Sequence, residues 1–259
     1  ANYGFYKTGN DSINISVAEQ ISVKIKNFRT DSFRVFGKQN FFDSDDILVR
    51  MKNFQNDLGD SLHILSIDTL EYSLKSTDIF ANGFHLKHYS IKNDRSLYDV
   101  YVPRLYMKSE SISRFALNDS IHVRFLEFDR PRIKFYQKEN PKRLDINDIS
   151  NFDLYSLVKT NFAKIEIDSF LLTNAKLEIY KQPDMMQYQQ NFESLNITLN
   201  GFLLDSLSSQ NTEKIFYAND LEMTVADYHL RLEDNQHNFT SDSMFVSTFS
   251  KSLGVHGIN

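Results

Sequence analysis

Apolar residues recur at every second position in four short runs. Ile21, Val23 and Ile25 form the first, and Ile47, Val49 and Met51 the second. Leu195, Ile197 and Leu199 form the third, and Leu221, Met223 and Val225 the fourth. The residues between them, among them Ser22, Lys24, Asn196, Thr198, Glu222 and Thr224, are polar. A period of two sends successive side chains to opposite faces of a strand. Each run therefore predicts a strand with one dry and one wet face, the pattern of an antiparallel sheet solvated on one side.

Two stretches depart from this period. Ser109 to Leu117 places Ile112, Phe115 and Ala116 on one helical face, and Asp153 to Ala163 does the same with Leu154, Leu157 and Val158. Asp153 suits the N-cap of the second. Both are expected to be short helices.

The chain also repeats itself. At an offset of 174 positions, Tyr6 falls on Tyr180, Phe28 on Phe202, Asp46 on Asp220, His63 on His237, Asp68 on Asp242 and Gly83 on Gly257, without a gap. A shorter echo at 44 positions sets Ile121, Val123, Ile133, Phe135 and Tyr136 on Ile165, Ile167, Leu177, Ile179 and Tyr180. Such periodicity predicts a repeat architecture. A first unit is expected over residues 1–137 and a second over 151–259. A polar linker over 138–150 contains Pro141, and the sheet is free to continue through it. Because Ala1 falls inside a repeat, the chain reads as part of a longer protein. Asp-Ser or Asp-Thr pairs recur beside the strands at Asp31, Asp60, Asp68, Asp119, Asp168, Asp205 and Asp242. Their side chains bond nearby backbone groups, which suits turns and bulges.

Composition narrows the function. A net charge of -5 and the absence of basic runs argue against nucleic acid, which demands clustered Lys and Arg. With no cysteine, disulfides, thiolate metal sites and a Cys nucleophile are excluded. No run approaches the roughly 20 apolar residues of a membrane-spanning helix. His85 and His88 are expected on opposite strand faces. The acidic run Asp43 to Asp46 lacks the Gly and distal Glu of an EF-hand. Neither a nucleophile elbow nor a phosphate-binding Gly-rich loop nor an H-E-x-x-H zinc motif occurs. No cofactor, metal ligand or catalytic residue is assigned, and the chain is expected not to be an enzyme.

Three stretches carry a family likeness. The first runs from Leu65 to Leu74 and into Asn82 to Leu86. Another comprises Tyr98 to Met107 and then Ile121 to Phe135 around Pro131. The last comprises Asp153 to Leu157, Ile165 to Phe170 and Asn174 to Ile179. In these the chain resembles the AsmA-like repeat proteins of Gram-negative envelopes, a superfamily that includes TamB-type and YhdP-type members. The resemblance implies an all-β, elongated and strongly curved antiparallel sheet, carrying here the two short helices. It implies a concave apolar groove for phospholipid acyl chains, membrane anchoring and a periplasmic location. The chain lacks the N-terminal membrane segment of that family.

The expected function is therefore a periplasmic β-repeat module that binds or conducts phospholipid along its groove and so supports outer-membrane lipid homeostasis. The twelve alternating residues named at the outset are its candidate lipid-binding surface. Its expected partners are phospholipid, a membrane reached through segments outside this chain, and other envelope proteins. The rival reading is a structural or protein-binding scaffold whose apolar face closes into a dry core. A carbohydrate-active β enzyme would need paired carboxylates about 5 to 9.5 Å apart, and the sequence places no such pair.

Overall fold

Alternation of period two is realised as strand through nearly all of the described chain. A computed structural model describes residues 3–9, 12–29, 44–57, 63–88, 97–109, 120–137, 155, 162–181, 188–208, 217–232 and 237–259. In chain order the strands are β1 (Tyr3–Gly9), β2 (Ser12–Lys26), β3 (Asp46–Asp57), β4 (His63–Ser73), β5 (Asp78–His88) and β6 (Leu97–Lys108). They continue with β7 (Ser120–Asp129), β8 (Arg132–Gln137), β9 (Lys164–Lys181), β10 (Tyr188–Leu204), β11 (Asp220–Arg231), β12 (Asn238–Ser247) and β13 (Ser252–Ile258). All join one sheet in sequence order. The fold is all-β. The two expected short helices are not borne out: of the first, Ser109 is a buried residue just past β6 and 110–119 lie outside the described residues; of the second, Tyr155 is α-helical, Phe162 and Ala163 are not, and 153–154 and 156–161 lie outside the described residues.

β7 and β8 share one place in the sheet. β6 pairs with β7 through Arg104–Lys108 and with β8 through Leu97–Tyr101, and β9 meets both from the other side. Arg130, at φ 52°, and the buried Pro131 divide them. Twelve positions at about 4.8 Å make the sheet roughly 53 Å broad.

Pairing is antiparallel except where β9 runs parallel to β7 and β8. A parallel neighbour needs a crossover of a dozen or more residues. Residues 138–163 supply it, so the expected linker at 138–150 falls in the crossover and outside the described residues. Strand pairing runs through this junction without a break.

Both sequence echoes have a structural meaning. The 44-residue echo is the parallel register itself: Ile121 pairs with Ile165, Val123 with Ile167, Ile133 with Leu177 and Tyr136 with Tyr180. The 174-residue repeat reproduces pairing residue for residue. Val23 pairs with Val49 as Ile197 does with Met223. Val49 pairs with Tyr72 as Met223 does with Val246, and Tyr72 with Ile79 as Val246 does with Leu253. Left-handed backbone repeats as well, at Asn27 and Gly201, Asn53 and Asp227, Thr77 and Lys251, Gly83 and Gly257. β1–β5 and β9–β13 are thus two copies of one folding pattern.

Several of these left-handed residues form a seam across the sheet. Asn53, Gly83, Arg130, Asn174, Asp227 and Gly257 sit on β3, β5, between β7 and β8, and on β9, β11 and β13. These strands all run in one direction. At the seam the alternation skips: on β4, Ile67 and Leu70 face the apolar side, with Asp68 and Thr69 between them. Cross-strand polar groups occupy the skip. Asn53 donates to Glu19 at 2.6 Å, Asn82 to Thr69 at 3.0 Å, and the Asn174 N–H to Asn196 at 2.9 Å. Irregularities of this kind bend a strand and raise its twist.

Candidate functional site: the apolar face of the sheet

Following register from strand to strand builds the site. From Ile21 on β2 a row passes to Met51, Leu70 and Ala81, then to Leu105 and Phe128. It continues through Leu172, Ile197 and Met223 and reaches Val246 and Leu253. Every strand position from β2 to β13 contributes one apolar residue. A second row runs beside it from Val23 through Val49, Tyr72, Ile79 and Met107. It goes on to Leu126, Phe170, Leu199 and Leu221. The face is continuous because the seam skips in step on neighbouring strands.

The twelve candidate residues all belong to this face, as six directly opposed pairs. Ile21 with Met51, Val23 with Val49 and Ile25 with Ile47 form one patch. Leu195 with Val225, Ile197 with Met223 and Leu199 with Leu221 form the other. They differ in exposure. Leu195, Leu199, Leu221 and Val225 are buried, Ile21, Ile47, Val49, Met51, Ile197 and Met223 are half-buried, and Val23 and Ile25 are 59% and 44% exposed.

Burial is deepest in the middle of the sheet. Val102, Ala81 and Ile67 anchor one cluster with Leu105. Val123, Ile167, Phe202 and Leu204 anchor a second, against which Tyr155 and Tyr217 pack. Leu172, Ala175, Leu195 and Val225 form a third. Sequence reasoning named Leu195 and Val225 of these, with Leu199 and Leu221 beside them, and missed the other central residues. Their signal was present, but the skip at each seam position breaks a strict count by twos.

The opposite face carries ion pairs and aromatic stacks, with the buried Leu97 opposite Tyr136 and Phe80 stacked on Tyr106 at 4.9 Å. His85 meets Asp99 and His122 meets Asp168, each at 2.8 Å. Arg104 meets Asp129 at 2.8 Å, and Lys176 lies 2.9 Å from Glu193 and 3.4 Å from Glu178. Tyr136 and Tyr180 stack at 5.2 Å. Burial, and then the hydrogen bond that the Tyr180 hydroxyl donates to Glu178 at 3.0 Å, push the Tyr180 hydroxyl up to about 12. The His122–Asp168 and Lys176–Glu193 pairs are exposed on both sides and act weakly on stability.

The candidate chemical groups take structural places. Asp46 accepts from Ser73 at 3.0 Å and from the Lys75 N–H at 3.2 Å, closing the β4–β5 turn. Asp45 pairs with Asn27 and Arg29, while Asp43 lies outside the described residues. The Asp205 carboxylate accepts from the Leu207 and Ser208 N–H groups, as a turn aspartate does. His63 is buried and accepts from the Tyr98 N–H at 3.3 Å, whereas its repeat mate His237 is exposed. Among the described residues, no group of three or more His, Cys, Asp or Glu is placed to hold a metal ion, and no helix is long and apolar enough to cross a membrane.

No known family's pattern matches the chain, and no curated protein matches it in sequence.

Proposed function

We propose that the chain is a lipid-binding β-repeat module of the AsmA-like kind, working at the cell envelope. Phospholipid acyl chains lie on the apolar face and pass across the strands from one repeat to the next. The observation that carries this reading is the unbroken apolar row from Ile21 to Leu253, with exposed apolar side chains at its flanks. At about 25 cal/mol per Å2 of apolar surface, an acyl chain laid along such a row gains several kcal/mol with no polar contact. Motion along the row meets no polar barrier, so transfer needs no catalytic residue. Headgroups stay in water or reach the periplasmic side of a membrane anchored through segments outside this chain.

The burial of Val102, Leu172 and Leu199 favours a second reading, a scaffold whose apolar face is its own dry core. Mass spectrometry of solvent extracts from the gently purified protein separates the two. An unrelated β protein prepared in parallel serves as control. Stoichiometric phospholipid found only with this chain is the result expected for a lipid module. Lipid no higher than in the control transfers the assignment to the scaffold.

A further inference from the structure

The two long rims of the sheet, where the strand ends line up, differ in chemistry. At one rim His63 opens β4, His88 closes β5 and Tyr98 stands second in β6. Tyr136 and Tyr180 are the penultimate residues of β8 and β9, and Tyr188 opens β10. Rings meet across the strands. Tyr98 lies 5.7 Å from His63 and stacks on Phe135 at 5.1 Å, while Tyr136 meets His88 at 5.3 Å and Tyr180 at 5.2 Å. Further along, Tyr228 near the end of β11 meets Phe239, second in β12, at 6.1 Å. Every strand position from β4 to β12 thus brings an aromatic ring to this rim. At the other rim strands begin or end in Lys26, Asp46, Asp78, Lys108, Lys164 and Asp220. Charges there pair locally, Lys26 with Asp46 at 3.5 Å and Lys164 with Glu166 at 2.9 Å.

Tyr and His have an apolar body and a polar tip, and such rings suit a line with one apolar and one wet side. Both sides are present here. Just inside the belt, a row of half-buried residues crosses the apolar face through Leu65, Leu86, Val100, Ile133 and Leu177, each opposite the next. On the outside, Tyr188 is 38% exposed. Burial pushes the Tyr136 and Tyr228 hydroxyls above the ordinary tyrosine range, so they stay uncharged and do not repel a phosphate. Neighbouring strands rotate by about 20–25° each. A rim this long therefore winds too far to lie on one flat bilayer, but single headgroups can follow it.

We propose that the Tyr and His belt is the headgroup side of the lipid site. The phosphate and glycerol of a bound phospholipid lie over this rim, and its acyl chains lie inward of it on the apolar face. As a lipid passes from strand to strand, its headgroup tracks the belt. This inference rests on the lipid reading of the apolar face and adds which rim the polar end occupies.

The experiment uses two photoreactive phospholipids with the intact chain. One carries a diazirine on the headgroup of phosphatidylethanolamine, the other a diazirine at the acyl end of phosphatidylcholine. After irradiation, adducts are mapped by peptide mass spectrometry. Headgroup adducts are expected on 97–101, 132–137, 176–181 and 188–192, about tenfold above those on 24–28, 46–48, 107–109 and 164–166 at the other rim, a preference of roughly 1.4 kcal/mol. Acyl-end adducts are expected on the apolar face. Headgroup adducts gathered at the other rim, or spread evenly over both, would overturn the proposal and leave the lipid reading standing if acyl-end adducts still fall on the apolar face. No adduct from either probe would remove the lipid reading itself, and the proposal with it.

Discussion

Asp68 leans over Gly83 so closely that a Cβ built on the glycine would collide with its carboxylate, and the glycine backbone is left-handed at φ 65°. Asp242 and Gly257 repeat the arrangement 174 residues later. Two constraints coincide at each glycine. A side chain costs about 1–2 kcal/mol in left-handed backbone, and the aspartate has to move. Gly83→Ala should therefore lower unfolding free energy by about 2–4 kcal/mol in urea denaturation. Adding Asp68→Ala should recover part of the loss, the part due to collision. Gly254, whose Cβ would meet nothing nearer than His256 at 3.9 Å, should tolerate Ala with little change.

The apolar face grades from dry to open, and stability should follow the gradient. Leu199 is 6% exposed within a packed cluster, so Leu199→Ala should cost about 2–4 kcal/mol. Val23 lies in the neighbouring position of the other repeat and is mostly exposed. Val23→Ala should cost no more than about 0.5 kcal/mol. Similar losses at both sites would mean that the flank is covered.

Tyr180 should ionise late. In the folded chain its hydroxyl is pushed up to about 12, whereas a free tyrosine ionises near 10. A raised folded value gives stability that is whole below pH 10 and fades as pH climbs towards 12. Tyrosinate absorbance should show a late step that Tyr180→Phe removes. An unchanged titration curve in that variant would place the late step elsewhere.

Asp46 acts at the other end of the pH range. Burial pushes its carboxyl up, but hydrogen bonds from the Lys75 N–H and Ser73 Oγ, with the Lys26 charge, outweigh burial and hold it below the ordinary carboxylate range. A lowered folded value gives stability that is present above the unfolded value, near 3.9, and lost as pH falls through the folded one. Asp46→Asn should be less stable than the parent at pH 7, and the gap should close below pH 4 in thermal melts. A gap constant with pH would assign the effect to shape.

Much of this architecture was legible in the sequence. The alternation at Ile21 to Ile25 and at Leu195 to Leu199 gave strands and faces correctly, because those strands carry no skip within the run. The 174-residue offset proved to be a repeat of pairing and backbone. The 44-residue echo was visible, but its cause was not: similar residues stand side by side because β7, β8 and β9 run parallel. The middle of the face was hidden for a physical reason. In Leu65 to Tyr72 the seam sets Asp68 and Thr69 in succession between Ile67 and Leu70, so a count by twos from Leu65 arrives at Thr69 and Glu71. The Asp-Ser pairs signalled both turns and seam positions, and only register separates Asp205, a turn residue, from Asp68 and Asp242.

The account turns on acyl chains touching one face of the sheet, and photocrosslinking reads that contact directly. A photoreactive phenylalanine analogue is placed at Val23 or at its repeat mate Ile197 on the apolar face. Companion variants carry it at Lys24 or Thr198, the next residues, on the opposite face. After incubation with phosphatidylcholine vesicles and irradiation, lipid adducts are counted by intact-protein mass spectrometry. Adducts at Val23 and Ile197, with few at Lys24 and Thr198, are the predicted result. Equal labelling of both faces, or none on the apolar face, would contradict it.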